Sequence, residues 1–123
     1  MSEATGLIDD GMTRHGYIAP LAGIHPAMRF DYRPVTVLER SAGAIEMDRR
    51  TERHRASAEL LARKVLGWDV RTGKGETLPV KDADSYLKLE PLWFDRLLSI
   101  VTGQSASDPD PKGEATEPFR PTA

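Results

Sequence analysis

The segment from Trp68 to Gly103 constrains the fold of this chain more than any other, because turn residues, helix caps and apolar spacing agree within it. Apolar and polar side chains alternate from Trp68 onward, and Gly73-Lys74-Gly75 supplies two residues that tolerate the positive φ of a tight turn. These features predict a short β-hairpin over about residues 68–80. Pro79 has no N–H for a strand ladder, so the return strand is expected to be an edge strand or very short.

The same segment predicts a helix over about residues 91–102 that covers the hairpin. Pro91 suits the first helical position, Gly103 suits the position after the last turn, and Asp82 or Asp84 can cap a short helical turn before them. A broad apolar stripe runs along the helix and consists of Trp93, Phe94, Leu97, Leu98 and Val101.

A second, longer helix is predicted over about residues 36–66. Thr36 and Glu39 have the spacing of a capping box, in which each side chain accepts a hydrogen bond from the other residue's backbone N–H. The interval is free of proline, and we expect either one long helix or two collinear pieces that break near Gly43 or within the charged residues 48–55. Before it, the alternation in residues 28–32 predicts a short strand.

These elements predict an α+β fold that is mainly helical, in one small domain with flexible, extended ends. Residues 1–28 are expected to be an extended or flexible N-terminal arm, because proline and glycine interrupt their apolar residues. Residues 29–103 form the expected core domain. Residues 104–123 are rich in proline and polar residues, which predicts a disordered tail.

Composition narrows the function classes. The 123 residues include no cysteine, which excludes disulfides and thiol chemistry and argues against a structural zinc site. The formal net charge of −2 provides no overall attraction to nucleic acid or to an anionic membrane. No apolar run approaches the roughly 18 residues of a membrane span, and the acidic start lacks the features of a secretory signal. We therefore expect a cytoplasmic protein.

No motif for catalysis or cofactor binding can be assembled. The three histidines lie far apart in the sequence, and the Asp9-Asp10 pair belongs to the arm, where no fixed separation is maintained. Gly73-Lys74-Gly75 lacks the spacing and the following Ser or Thr of a phosphate-binding loop. We expect neither an enzyme nor a cofactor or metal site.

One basic run offers an alternative function. Arg49, Arg50, Arg53 and Arg55 could contact phosphates, which would make the chain a small helical regulatory protein that binds nucleic acid. Acidic neighbours such as Glu46 and Glu52 dilute the run, and no aromatic residues interleave with it to stack on bases. A solvated or partner-docking helix face is the preferred interpretation.

Protein–protein contact is the function class that the residues favour. The core is near the size at which one hydrophobic core becomes marginal, yet the chain has a large allotment of aromatic residues and an apolar arm. Aromatic side chains serve cores and interface anchors alike. The candidate contact residues are Tyr17, Ile18, Leu21 and Ile24 in the arm and Trp93, Leu97 and Val101 in the last helix.

The order of several short motifs resembles small tail-assembly proteins of tailed bacteriophages and related prophage elements. These motifs are RFDYRPVT at residues 29–36, VLGWDV at 65–70, LPV at 78–80 and LLSIVTG at 97–103. The resemblance implies a non-enzymatic tail assembly chaperone that binds a tape-measure or tail-tube protein. Because the arm also suits a protein that stays in the particle, a head–tail or baseplate component is the alternative.

The resemblance also implies where the protein acts and what it touches. It places the protein in the cytoplasm of a bacterial host, with incorporation into the virion as a second option. Its partners would be virion proteins or further copies of the same chain. The apolar face around Trp93, Leu97 and Val101 would be the contact surface, and no catalytic residues are implied.

Overall fold

The computed structural model describes residues 12–42 and 52–111, and these form a mixed α+β fold, as the sequence predicts. The described elements, in chain order, are β1 (Arg14–Ile18), β2 (Met28–Tyr32), α1 (residues 37–42), α2 (Arg53–Lys64), β3 (Val65–Trp68), α3 (Ala83–Leu87) and α4 (Pro91–Val101). The strand β1 lies in the predicted arm, and β3 takes the last residues of the predicted long helix and the first residue of the predicted hairpin. The fold is therefore less dominated by helices than the sequence indicates.

The three strands form one antiparallel sheet in the order β1-β2-β3, with β2 in the centre. The predicted alternation in β2 is confirmed: Met28, Phe30 and Tyr32 are buried, whereas Arg29 and Asp31 lie on the opposite face. The buried face packs in one cluster with residues from α2 and α4. An alternating strand of this kind covers a core on one side only.

The predicted long helix is wrong at its C-terminal end. Helix α2 ends at Lys64, and the next residue begins β3, which pairs with β2. The register shifts by one residue within this pair, so Leu66 has no partner in β2 and is exposed. Residues 37–42 and α2 are both helical, and the helix is interrupted within the charged residues 48–55, because Glu52 is not helical and α2 begins at Arg53. The alternative break near Gly43 lies outside the described residues.

The predicted hairpin over 68–80 is replaced by a smaller turn. Trp68 pairs with Phe30 in the sheet, and its indole N–H donates to the Leu78 carbonyl at 2.8 Å. Beyond it, Arg71 and Thr77 form an isolated bridge around Gly75, whose φ of 85° is the positive value expected at a tight turn. Trp68, which the local pattern assigns to the first strand of a hairpin, therefore pairs with β2 instead.

The predicted caps of the C-terminal region are confirmed. Asp82 accepts a hydrogen bond from the Asp84 N–H and starts α3. Pro91 is the first residue of α4, which ends at Val101, and Gly103 has a φ of 80°. These signals are local, which explains why the sequence predicts the helix bounds to within about a residue.

The expected ends contribute more to the fold than their composition indicates. The strand β1 belongs to the segment expected to be an extended or flexible arm, and it pairs along its whole length with β2. After α4, Ser107 and Asp108 form hydrogen bonds with β1, although they belong to the expected disordered tail. The packed part of the chain thus extends at both sides beyond residues 29–103.

Candidate protein-binding surfaces

The residues predicted to form a contact surface on α4 lie in the core. Trp93, Leu97 and Val101 are 8%, 0% and 1% exposed, and all three belong to the main hydrophobic cluster. The broad apolar stripe of α4 packs against the sheet and α2 and does not face solvent. These side chains therefore offer no contact surface in the described fold.

The four candidate residues of the N-terminal arm are divided between core and surface. Tyr17 and Ile18 are buried in β1. Leu21 and Ile24 remain 42% and 46% exposed in the turn that joins β1 to β2. The turn is tightly bonded, since the Ile24 and His25 N–H groups both donate to the Leu21 carbonyl. It therefore presents two apolar side chains on a defined backbone.

The base of this turn rests on α4. The His25 ring stacks on the Trp93 indole, with the ring centroids 5.3 Å apart and the planes 11° from parallel. His25 Nδ1 lies 2.8 Å from the Pro26 carbonyl oxygen, so it donates to that oxygen. The stack fixes the turn against the core and holds Leu21 and Ile24 at the surface.

A second exposed apolar pair begins α1. Val37 and Leu38 are 73% and 81% exposed, the highest values among the large apolar residues of the described chain. The predicted capping box is confirmed directly before them: Glu39 N–H donates to Thr36 Oγ1, and Thr36 N–H donates to Glu39 Oε1, both at 3.1 Å. The cap defines the start of the helix that presents this pair.

Contacts with two other helices hold the start of α1 in place. Lys64 Nζ, at the end of α2, lies 2.6 Å from Glu39 Oε2. The contact with Lys64 and the hydrogen bond from the Thr36 N–H together lower the pKa of Glu39. Val35 N–H donates to the Val101 carbonyl at the end of α4. Val37 and Leu38 are thus exposed on an anchored helix, and this was not apparent from their sequence.

The described part of the basic run is partly neutralised. Arg55 lies 2.9 Å from Asp84 of α3 and also contacts Glu52, whereas Arg53 is exposed. Arg49 and Arg50 lie outside the described residues. A row of free cations along α2, as phosphate binding would require, is therefore interrupted at Arg55.

The described histidines have separate surroundings. His15 forms a side-chain hydrogen bond with Asp31 across β1 and β2, and the His54 ring lies 6.3 Å from the Phe94 ring. Within the described ranges, no group of three or more His, Cys, Asp or Glu residues could hold a metal ion. A surface cavity of about 210 Å³ lies between α2, α3 and α4 and is lined by His54, Tyr86, Leu87, Leu89, Pro91, Phe94 and Asp95. Its volume is below the range typical of small-molecule sites.

A contact that the sequence did not indicate covers the outer edge of β1. We call residues 107–110 (Ser-Asp-Pro-Asp) the strap. Tyr17 N–H donates to Ser107 Oγ at 2.7 Å, and Asp108 N–H donates to the Tyr17 carbonyl at 3.0 Å. Ala19 N–H donates to Asp108 Oδ2 at 2.9 Å. The strap thus satisfies backbone groups that an edge strand would otherwise leave to solvent.

Two arginines hold the aspartates of the strap. Arg96 of α4 donates to Asp108 Oδ1 at 2.7 Å, and Arg29 of β2 binds Asp110 with two hydrogen bonds of 3.0 Å. Burial alone would raise the pKa of Asp108, but the Ala19 N–H and Arg96 outweigh it and keep the pKa below its usual range. The Asp110 carboxylate is fully buried, and Arg29 also lies over the Tyr17 ring.

Comparison with known proteins identifies no relative, so the function has to be inferred from the residues of this chain. No protein-family model, curated protein or solved structure matches the chain. Among the described residues, every helix is too short or too polar to cross a bilayer.

Proposed function

We propose that this chain is a non-enzymatic, phage-type tail-assembly or virion protein that acts by binding other proteins. The resemblance of residues 29–103 to small tail-assembly proteins supports the class of function. The observation that carries the proposal is the exposed apolar pair Val37 and Leu38 on a capped and anchored helix.

The position of this pair favours a contact surface. Single exposed apolar residues are ordinary on protein surfaces, but two adjacent ones that are almost fully exposed remain in contact with water unless a partner covers them. Burial of one Val or Leu side chain contributes about 1.5–3 kcal/mol. The pair would thus supply a useful share of the binding free energy of a partner, with Leu21 and Ile24 as a separate apolar contact.

The partner class follows from the resemblance. A tail-tube or tape-measure protein is the proposed partner of an assembly chaperone, and another virion protein is the proposed neighbour of a permanent component. Self-association is a further option, since a C2 interface uses the same surface on both copies. The proposed location is the cytoplasm of the bacterial host, with incorporation into virions for the structural role.

Co-purification with a tail-tube protein and with a tape-measure protein of a tailed phage tests the proposal. We expect wild type to form a defined complex with one of them, and the Val37→Glu/Leu38→Glu variant to keep its melting temperature but lose the complex at least tenfold. Leu92→Glu is the matched control, because Leu92 is also exposed and lies on α4. Equal binding by wild type, the double variant and Leu92→Glu would refute the contact surface. The absence of any complex with wild type would refute the assembly-chaperone role.

Light scattering on the isolated chain tests self-association. A homo-oligomer built through the same pair should become monomeric in the Val37→Glu/Leu38→Glu variant. A wild-type protein that stays monomeric at high concentration would leave the virion proteins as the proposed partners and remove the homo-oligomer.

A further inference from the structure

The outer edge of β1 is a recognition surface that its own chain already occupies. Tyr17 turns its N–H and carbonyl away from β2, and Ser107 and Asp108 bind both groups. An extended peptide that adds to a sheet edge uses backbone groups in the same way. The strap therefore occupies the place where a partner strand would bind.

The contacts of the strap are polar and charged. Its side chains are a serine, two aspartates and Pro109, and Pro109 is exposed. Asp108 and Asp110 each meet an arginine from a different element, Arg96 on α4 and Arg29 on β2. Because no apolar side chain of the strap is buried, its attachment depends on hydrogen bonds and ion pairs that another acidic segment can reproduce.

The strap also limits growth of the sheet. Only Asp108 N–H enters a ladder-like bond with β1, and the next residue is Pro109, which has no N–H to donate. An edge strand without such a cover pairs readily with other chains. The strap thus protects β1 and at the same time shows which chemistry the edge recognises.

We propose that the outer edge of β1, together with Arg29 and Arg96, is a docking site for an extended acidic segment of a partner protein, and that the strap occupies this site until the partner displaces it. Charge complementarity defines the occupant: an extended stretch with carboxylates two residues apart and a hydroxyl before the first, as in Ser107, Asp108 and Asp110. The inference rests on the proposed function in one respect only, namely that the chain binds proteins.

Competition between the strap and a partner sets the expected affinities. A tethered segment has an effective concentration in the millimolar range, so a free segment of the same chemistry binds weakly while the strap is in place. Loosening the strap should raise the apparent affinity in proportion to the fraction of molecules in which the strap is released. A variant that loses both carboxylates should therefore bind the free peptide more tightly than wild type.

A labelled peptide with the sequence of residues 105–111 tests this expectation on the full chain by fluorescence polarisation. We expect Asp108→Asn/Asp110→Asn to bind it at least tenfold more tightly than wild type. Addition of Arg96→Gln to that variant should remove most of this gain. A peptide with both aspartates replaced by asparagine is the matched control and should bind at least tenfold more weakly.

Two results would overturn the proposal. One is a folded Asp108→Asn/Asp110→Asn protein that fails to bind the peptide or binds the asparagine control equally. The other comes from amide hydrogen exchange of wild type, which needs no variant: strap release should let Tyr17 and Ala19 exchange faster than Gly16 and Ile18, which face β2. Equal protection of all four amides would show that the strap is a permanent part of the fold.

The peptide experiment separates this inference from the proposed function. If the peptide fails to bind but a tail-tube or tape-measure protein still co-purifies through Val37 and Leu38, the docking edge is refuted and the function stands. If the peptide binds but no virion protein does, the edge stands and the phage role is refuted.

Discussion

Gly16 illustrates how one residue decides the pairing of β1 with β2. It lies opposite Phe30, and a Cβ atom at this position would overlap the Phe30 ring. The ring cannot move aside easily, because it is buried and packs against Tyr32 with the ring centroids 5.4 Å apart. The aromatic ring therefore fills the space over the glycine of the neighbouring strand.

Replacement of Gly16 by alanine should destabilise the protein by about 1–3 kcal/mol, the usual cost of an added methyl group in a packed core. Urea denaturation monitored by circular dichroism measures this change. Gly67→Ala in β3 is the matched control, because no atom lies within 4 Å of a Cβ at that position. A Gly16→Ala protein as stable as the Gly67→Ala control would contradict the packing described for Phe30.

Tyr86 gives the stability a dependence on alkaline pH. Burial raises the pKa of Tyr86, and its hydroxyl donates to the Val80 carbonyl at 2.7 Å. The folded state thus keeps this proton to a higher pH than the unfolded chain, whose pKa is near 10.0. The free energy of unfolding should fall as the pH rises above about 10.

Tyr86→Phe tests that dependence. At neutral pH the variant should be less stable by about 1 kcal/mol, because the Val80 carbonyl loses its partner. Between pH 9 and pH 11.5 its free energy of unfolding should fall less steeply than that of wild type, since one raised pKa has been removed. If the free energies of unfolding of wild type and Tyr86→Phe fall in parallel as the pH rises, the assignment to Tyr86 is contradicted. The fall would then be assigned to Tyr32, whose pKa is also raised by burial.

At the scale of the element, the capping box before α1 has a defined energetic role. Thr36→Ala removes the acceptor of the Glu39 N–H, so we expect a loss of about 1 kcal/mol. Thr36→Ser keeps the hydroxyl and should lie within about 0.5 kcal/mol of wild type. Chemical denaturation of the three proteins checks the order, and equal losses in both variants would assign the effect to the methyl group of threonine.

Elements with local signals were predictable, whereas those that depend on distant partners were not. Some signals depend only on residues that are near in sequence, as for Pro91, Gly103 and the Thr36–Glu39 pair. The structure confirms the caps and the helix ends that these residues predict. The strand β3 follows α2 without a break, and its residues suit a helix or a strand equally well. Only the pairing with β2, for example between Trp68 and Phe30, makes them a strand.

The candidate surfaces show the same distinction. The apolar spacing of α4 predicts an amphipathic helix correctly, but it cannot tell whether a core or a partner covers that face, and Trp93 proves to be buried. The strap has the composition of a disordered tail, and it is held by residues that are distant in sequence: the backbone of Tyr17 and the side chains of Arg29 and Arg96. A local pattern carries no information about such contacts.

At the scale of the whole molecule, the two sides of α4 should respond differently to truncation. Leu97 is fully buried in the main cluster, so Leu97→Ala should cost about 2–5 kcal/mol. Leu92 lies on the same helix and is 50% exposed, so Leu92→Ala should stay within about 0.5 kcal/mol of wild type. Thermal and urea denaturation of the pair measure the difference. Equal losses would contradict the inward orientation of the stripe.

The strap connects residues that are made at very different times. Ser107 binds Tyr17 from ninety positions further along the chain. At a synthesis rate of about 5–20 residues per second, β1 leaves the ribosome roughly 5–20 s before its cover does. Each nascent chain therefore passes through a period in which the edge of β1 is uncovered, and neighbouring chains on one messenger pass through it together. The order of translation thus makes the backbone edge of β1 available first, and Arg96 completes the proposed site only 12 positions before Asp108.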